Sequence, residues 1–394
     1  MEKHLHIISL NVPYPADYGG VYDLFYKLPA LQNEGVKIHL HCFTKDRAEQ
    51  SELNKYCEEV FYYQRHTGSA GLSSNLPYIV GSRVSKDLTQ RLLKDNYPVL
   101  MEGIHCTAIT NDIQFANRKM FVRVHNVENE YYYQLYKFSR STKKAIFYWL
   151  ESKQLYKYEK KLARDANTFW TVARHDVEYY QKEFECENIK YLPLFIPAWK
   201  MNAVEGMGDY CLYHGALEVE ENEYAVKWLV KKVFKNIDLP FVIAGRNPFK
   251  SIDSLVKKYK NITLVSNPDE KQMQDIISKA HIHVLPSFNN TGIKIKLLNA
   301  LYNGRHCVVN EAMITGNSLK NMCHVVNSAD EFKERIQLLY HQPFSREEKV
   351  YRQKLLGAEF SNEKNAKQIT QWIWGEQATA SHIQGLASRS TSDL

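Results

Sequence analysis

The sequence predicts an α/β protein of two Rossmann-like β/α/β domains facing each other across a cleft. Three observations carry this. A chain of 394 residues is too long for one ordinary core. Short apolar runs alternate with helix-like segments, the pattern of parallel sheets joined by right-handed crossovers. The alternation pauses at Pro197–Gly208, which has no clear periodicity, and then restarts.

In the first half, strands are expected at His6–Asn11, Lys37–Phe43, Val99–Ile104, Met120–His125, Thr168–Val172 and Ile189–Phe195, with a helix at Tyr22–Glu34. In the second half they are expected at Tyr210–Tyr213, Pro240–Ala244, Ile262–Val265, His281–Leu285 and Cys307–Val309. Helical patterns there cover Glu223–Phe234, Asp269–Lys279, Ile295–Tyr302, Ala329–Tyr340 and Arg346–Glu359. The expected domains are therefore residues 1–200 and 209–362. The tail 375–394, rich in Ser, Ala, Thr and Gly, is expected to lack fixed structure.

Composition narrows the function. Hydrophobic residues at 44% and charged residues at 24% belong to a globular chain, not to a disordered or fibrous one. A net charge of +7 is too mild for a dedicated nucleic-acid binder. That surplus is concentrated, because residues 137–164 hold nine basic and two acidic side chains. Phe147, Tyr148, Trp149, Tyr156 and Tyr158 interleave with those lysines, so the stretch suits anionic lipid headgroups, an acidic acceptor or a solvated helix with an aromatic core face. Seven scattered cysteines form no CxxC pair and no disulfide framework, which points to free thiols in a reducing compartment. The first ten residues are too short and polar for a signal peptide, and no run reaches the roughly 18–20 apolar residues of a membrane span. The expected location is cytoplasmic, at most peripheral on the inner face of the membrane.

Four motifs fall where strands end, and ligands of open parallel sheets bind beyond the carboxyl ends of strands. PYPADYGG (Pro13–Gly20) opens a helix with two glycines, a place for phosphate against backbone N–H groups. VRVHNVEN (Val122–Asn129) ends a strand on His125, with Asn126 and Glu128 behind it, a cluster suited to sugar hydroxyls. FVIAGRNP (Phe241–Pro248) ends on Gly245 and Arg246, whose fork of donors fits phosphate. SFNNTGIKIKLLNALYNG (Ser287–Gly304) places Lys294 and Lys296 at a helix start, where cations are unfavourable unless an anion joins them. Taken singly, each also fits an ordinary turn, a satisfied histidine or solvated basic side chains. No GxGxxG and no Asp-x-Asp occurs in the chain.

In order and spacing, from Leu5 to Trp374, these motifs resemble glycosyltransferase family 4 with its GT-B fold, and in pattern the bacterial surface-polysaccharide transferases. HGALEVEENEYAVKWL (His214–Leu229) resembles the opening strand, loop and helix of that family's nucleotide-binding lobe, and TGIKIKLLNAL its donor-site signature. The resemblance implies a donor-binding C-terminal lobe, an acceptor-binding N-terminal lobe, and a segment 363–374 crossing back to the first lobe. It implies retaining transfer from a nucleotide-diphosphate sugar to a glycan or lipid-linked acceptor, with no metal and no cofactor. His125, Lys294 and Lys296 would then be catalytic, His125 holding a donor-sugar hydroxyl and the lysines the departing diphosphate. Gly19, Gly20, Gly215, Arg246, Thr291, Gly292 and Asn299 would contact the donor, and Asp17, Asn126 and Glu128 the acceptor. Two departures stand out. Thr291 and Asn299 occupy the places of the family's two glutamates, and the usual Arg/Lys pair is missing from HGALEVEENEYA. An inverting transferase with Asp17 or Glu128 as base, an inactive sugar-nucleotide-binding scaffold and a sugar-nucleotide epimerase remain open alternatives.

Overall fold

The computed structural model describes residues 2–16, 19–164, 167–289, 291–316 and 318–375. Among them two all-parallel sheets stand side by side. The first has seven strands: β1 (Lys3–Ser9), β2 (Val36–Thr44), β3 (Glu59–Gln64), β4 (Val99–Glu102), β5 (Met120–Val124), β6 (Thr168–Thr171) and β7 (Ile189–Tyr191). Their spatial order is β3-β2-β1-β4-β5-β6-β7. The second sheet has β8 (Cys211–Ala216), β9 (Phe241–Arg246), β10 (Ile262–Ser266), β11 (Ile282–Leu285), β12 (His306–Val309) and β13 (His324–Val325), in the order β10-β9-β8-β11-β12-β13.

Helices cover both faces of each sheet, so its central strands are buried along their length. All four residues of β4, β11 and β12 are buried. Two edge strands, β3 and β13, escape a search for apolar runs: β3 reads EVFYYQ and β13 is two residues long. The expected strand Ile189–Phe195 stops at Tyr191, because Pro193 cannot donate to a ladder. The expected strand Val99–Ile104 stops at Glu102, where Gly103 turns the chain at φ 91°. Five of the seven cysteines are buried and the other two half-buried, all with free thiols.

Each sheet reverses its strand order once, between β1 and β4 and again between β8 and β11. A crevice opens at the carboxyl ends of strands at such a reversal, because the crossovers on its two sides leave in opposite directions. The helix after β1, Gly19–Asn33, and the loop after β11 therefore stand at the two crevices, one in each lobe.

The Asn362–Trp374 helix closes the chain on the first lobe. Ala366, Ile369 and Ile373 join the core formed by Leu24, Leu28, Leu31 and Trp170. Asn362 clasps the linker, accepting from Ile196 N at 3.1 Å and donating to Ile196 O at 2.7 Å. The Lys119 ammonium donates to Ile373 O at 3.1 Å. Ile369 is fully buried. Ile369→Ala is expected to lower the unfolding free energy by about 2–5 kcal/mol, the range for emptying a buried aliphatic site. Urea unfolding measures it, and a loss well below 1 kcal/mol would show that the helix does not belong to the folding core.

Candidate active site

The N-terminal half of the site is built on buried charge. Arg123 lies on β5 with no exposed surface. Its guanidinium meets Asp23 in a bidentate pair, Nε to Oδ2 at 2.8 Å and Nη2 to Oδ1 at 3.0 Å. Its remaining donors reach the carbonyls of Leu192 at 2.7 Å and Pro193 at 3.0 Å. Lys27, one turn after Asp23, donates to Asp23 at 3.0 Å and to Glu102 at 2.5 Å. His125, just past the end of β5, places Nε2 at 3.3 Å from both Asp23 Oδ2 and Glu102 Oε2.

Burial alone would push these carboxyls up, but Arg123 and Lys27 hold Asp23 well below the usual carboxylate range, and Lys27 and His125 hold Glu102 down. For His125, burial acts to lower the pKa, yet hydrogen bonds to Asp23 and Glu102 raise it above the ordinary imidazole value. With His125 protonated, three cations face two carboxylates at this wall of the cleft.

The C-terminal half comes from the loop after β11 and the Ile295–Asn303 helix. Gly292 has φ 63°, and a Cβ there would fall 2.2 Å from Asn126 Oδ1 and 2.9 Å from His125 O. Only glycine allows this approach, so the loop of one lobe lies directly on the His125–Asn126 turn of the other. Lys294 is the N-cap residue of the helix, with its ammonium 2.5 Å from Thr291 O. Lys296 donates to Asn222 Oδ1 at 2.8 Å and to Tyr213 Oη at 3.1 Å, with its ammonium over the Tyr213 ring. Burial pulls Lys296 down to about 8, with Glu221 resisting and Lys294 adding to the fall. Burial lowers Lys294 as well, against the pull of Glu221 and Asp176.

Between the lobes lies a cavity of about 390 Å³. Tyr22 and Tyr131 line it on one side, and Gly215, Glu221, Asn222, Lys294 and Lys296 on the other. Tyr22 stands in the first turn of the helix that Gly19 and Gly20 open, so that turn forms part of the N-terminal wall.

The expected residues thus separate into groups. Gly215, Lys294 and Lys296 line the cavity, and His125, Asn126 and Gly292 meet beside one another. Glu128 lies buried near His125, its carboxyl pushed up to about 8 by burial and by the charge of Glu159. Thr291 turns inward, its hydroxyl donating to Asn289 Oδ1 at 2.9 Å within its own loop. Asn299 accepts from Asn303 Nδ2 at 2.8 Å, and Asn303 in turn meets linker residue Asn202 at 3.2 Å, so this side chain is engaged toward the linker. Arg246 pairs with Glu218 at 3.1 Å on an exposed surface, a strand away from the reversal point. Asp17 lies outside the described residues.

Sequence reasoning missed Asp23, Lys27, Glu102, Arg123, Tyr22, Tyr131, Glu221 and Asn222. Some of these left a trace. Asp23 and Lys27 are charges at i and i+4 in the otherwise uncharged helix GGVYDLFYKLPALQN, and Glu102 ends the apolar run VLME. Asp23, Glu102 and His125 could offer a metal three ligand atoms within 4.8 Å. Lys27 and Arg123 already neutralise the two carboxylates, so a divalent cation there would face two built-in cations.

Residues 208–342 match the family model described as glycosyl transferases group 1. A Klebsiella pneumoniae protein described as an uncharacterized 44.6 kDa protein in cps region is 28% identical over 321 residues, 75% of this chain and 80% of its own length. Among solved structures, TarM covers 95% of this chain and 99% of its own at 10% identity, with a TM-score of 0.67. A glycosyltransferase from Rickettsia africae covers 95% and 100% at 12% identity, TM-score 0.65. Anabaena Alr3699/HepE, solved in complex with UDP and glucose, covers 95% and 99% at 10% identity, TM-score 0.61. The chain has the two-domain α/β GT-B fold. That fold and the group 1 match over the C-terminal lobe together support a glycosyltransferase.

The geometry at His125 yields a pH dependence. Its folded pKa lies above the unfolded value, so the stability it contributes is complete below the unfolded value and is lost as pH rises through the folded one. The difference in unfolding free energy between the wild type and His125→Gln should therefore be largest below about pH 6.5 and shrink on going alkaline. Urea titrations across that range test this; a difference that grows with pH would contradict a protonated His125.

Proposed function

We propose that this chain is a retaining glycosyltransferase that moves a hexose-type sugar from a nucleotide-diphosphate donor to a glycan or lipid-linked acceptor, in surface-polysaccharide or glycoconjugate biosynthesis. The observation that carries the reading is the position of Lys294 and Lys296. Both line the interlobe cavity at the start of a helix, beyond the carboxyl end of β11. Burial works against their charge and Glu221 and Asp176 offset it only in part, so a polyanion in the cavity would add counter-charge. In the reaction, the bond between the sugar's anomeric carbon and the diphosphate oxygen breaks while a bond to the acceptor hydroxyl forms. The lysines and the helix N-terminus stabilise the charge that develops on the leaving diphosphate. His125, fixed by Asp23 and Glu102, would hold a donor-sugar hydroxyl. The contact of Gly292 with the His125–Asn126 turn would exclude water that otherwise hydrolyses the donor.

Retention is the outcome that the resemblance implies, and Glu221, the carboxylate among the described lining residues, shares the wall of Lys294 and Lys296. Solved neighbours add to the reading, since S. aureus TarM was crystallised with alpha-GlcNAc-glycerol and UDP. The polysaccharide assignment rests on the cps-region relative.

Lys294→Ala should reduce kcat by about 10²–10³-fold, the cost of removing one group that stabilises developing charge. A thermal-shift screen against nucleotide sugars would first identify the donor. NMR of the product's anomeric proton then reads stereochemistry. Wild-type turnover by the variant would remove Lys294 from the mechanism, and an inverted product would overturn retention.

The proposed location is the cytoplasmic face of a membrane. No helix among the described residues is long and apolar enough to cross a bilayer. The Thr142–Arg164 helix nonetheless exposes Ile146, Phe147, Trp149 and Leu150 beside Lys143, Lys144 and Lys153, a pairing that suits an anionic lipid surface. The protein should sediment with vesicles containing phosphatidylglycerol, less so at high salt and for Trp149→Ser. Equal sedimentation with neutral vesicles, or none with anionic ones, would rule this surface out.

A further inference from the structure

A second cluster of ligating side chains stands far from the cleft. The strands of the second sheet point their carboxyl ends at the cleft, and β12 and β13 begin at the opposite end with His306 and His324. The two strands pair in parallel with Val308 opposite His324. Side chains two residues apart share a face, so His306, Val308 and His324 all project to the same side. That side is covered by the Arg346–Glu359 helix, whose third residue is Glu348. The three side chains bring one ligand atom each within 4.8 Å of one another.

Local bonding aims these atoms. Nε2 of His306 lies 3.0 Å from Gln342 O, and a carbonyl can only accept, so Nε2 carries the proton and Nδ1 is left with a lone pair. Nδ1 is buried, and no hydrogen-bond partner reaches it. The His306 side chain is 3% exposed, so an unused acceptor there is costly. Glu348 is held by a capping box, in which Oε2 accepts from Ser345 N at 3.1 Å. Its other oxygen, Oε1, stands 3.8 Å from His306 Nδ1. That gap is too long for a hydrogen bond and close to the spacing of two ligands on one ion.

We propose that His306, His324 and Glu348 form a divalent metal site of the zinc class, clipping the Arg346–Glu359 helix to the edge of the second sheet. Two imidazoles and one carboxylate suit a borderline ion such as Zn²⁺ over Mg²⁺ or Ca²⁺, which prefer oxygen. A proton-bearing Nε2 bound to a backbone carbonyl is the usual outer support of a ligating histidine. Ligand bonds of about 2.0–2.1 Å require the three atoms to close to roughly 3.3 Å, and the half-exposed Glu348 has room to move inward. Arg335 is one nearby cation to weigh against an ion, and Arg352 is a second. Its guanidinium is occupied by the carbonyls of Gly304, Arg305 and Met322 and by the Phe344 ring, and the Glu348 carboxylate lies between helix and sheet to offset it.

The test is zinc binding to the full-length chain after removal of metal with a chelator. Equilibrium dialysis against ZnCl₂ should give one ion per chain, and zinc should raise the thermal unfolding midpoint. His324→Gln and Glu348→Gln should each weaken binding more than about tenfold. Glutamine keeps the capping bond of Glu348, and both variants should fold and retain wild-type donor turnover, since neither touches the cleft. No stoichiometric zinc, or unchanged affinity in both variants, would overturn the site. So would binding abolished by His125→Gln and retained by His324→Gln, which would move the ion to the cleft cluster. If His324→Gln fails to fold, Glu348→Gln alone decides.

Discussion

The whole N-terminal lobe is organised around the buried pairing of Arg123 with Asp23. One carboxylate receives a bidentate guanidinium, the Lys27 ammonium, His125 and the backbone N–H of Phe195 at 2.8 Å. It thereby ties the first helix to β5 and to the chain that leaves β7 for the linker, and Lys27 extends the tie to Glu102 at the end of β4. A charge at this depth is stable only with such partners. Leaving one member unpaired costs of the order of 3–5 kcal/mol. The cluster fixes where the helix after β1 begins, hence where Tyr22 meets the cavity, and it fixes the ring of His125.

The opposing lobe meets that rigid wall with a glycine. Gly292 lets the loop before Lys294 rest on the His125–Asn126 turn with backbone against backbone. Further out, Arg140, between two helices of the first lobe, pairs with Glu223 and lies over Phe249 of the second, while Phe138 packs against Tyr224. The lobes are therefore in contact at two separate places. The proposed sugar transfer would need that closure to keep water from the donor, and substrate exchange would need these contacts to part.

The Thr291 and Asn299 positions gain a physical reading from the same geometry. Thr291 satisfies its own loop and Asn299 reaches toward the linker, so neither takes up the place of a carboxylate facing a sugar. A carboxylate does enter the cavity, but from another element: Glu221, on the helix after β8, held by Ser287 Oγ at 2.8 Å and Phe288 N at 3.3 Å. The loss of a familiar motif in one segment thus says little about which charges a pocket finally holds.

Periodicity and punctuation sufficed for the two-lobed α/β plan and most strands, because burying a parallel sheet on both faces forces apolar runs and crossovers force their spacing. Strand ends were legible for the same reason, which is how His125, Lys294 and Lys296 stood out. The charge cluster was not legible as a unit: Asp23 and Glu102 leave single traces in their own segments, and they join Arg123 only when three elements converge. Nor could spacing separate Lys296, which lines the cavity, from Arg246, which pairs with Glu218 on the surface. The fold and the edges on which a site could form were written in the order of residues alone, because hydrophobic patterning is a local property. Which polar side chains share that site emerges only in the folded molecule, because pairing buried charges depends on distances between segments as much as 102 residues apart.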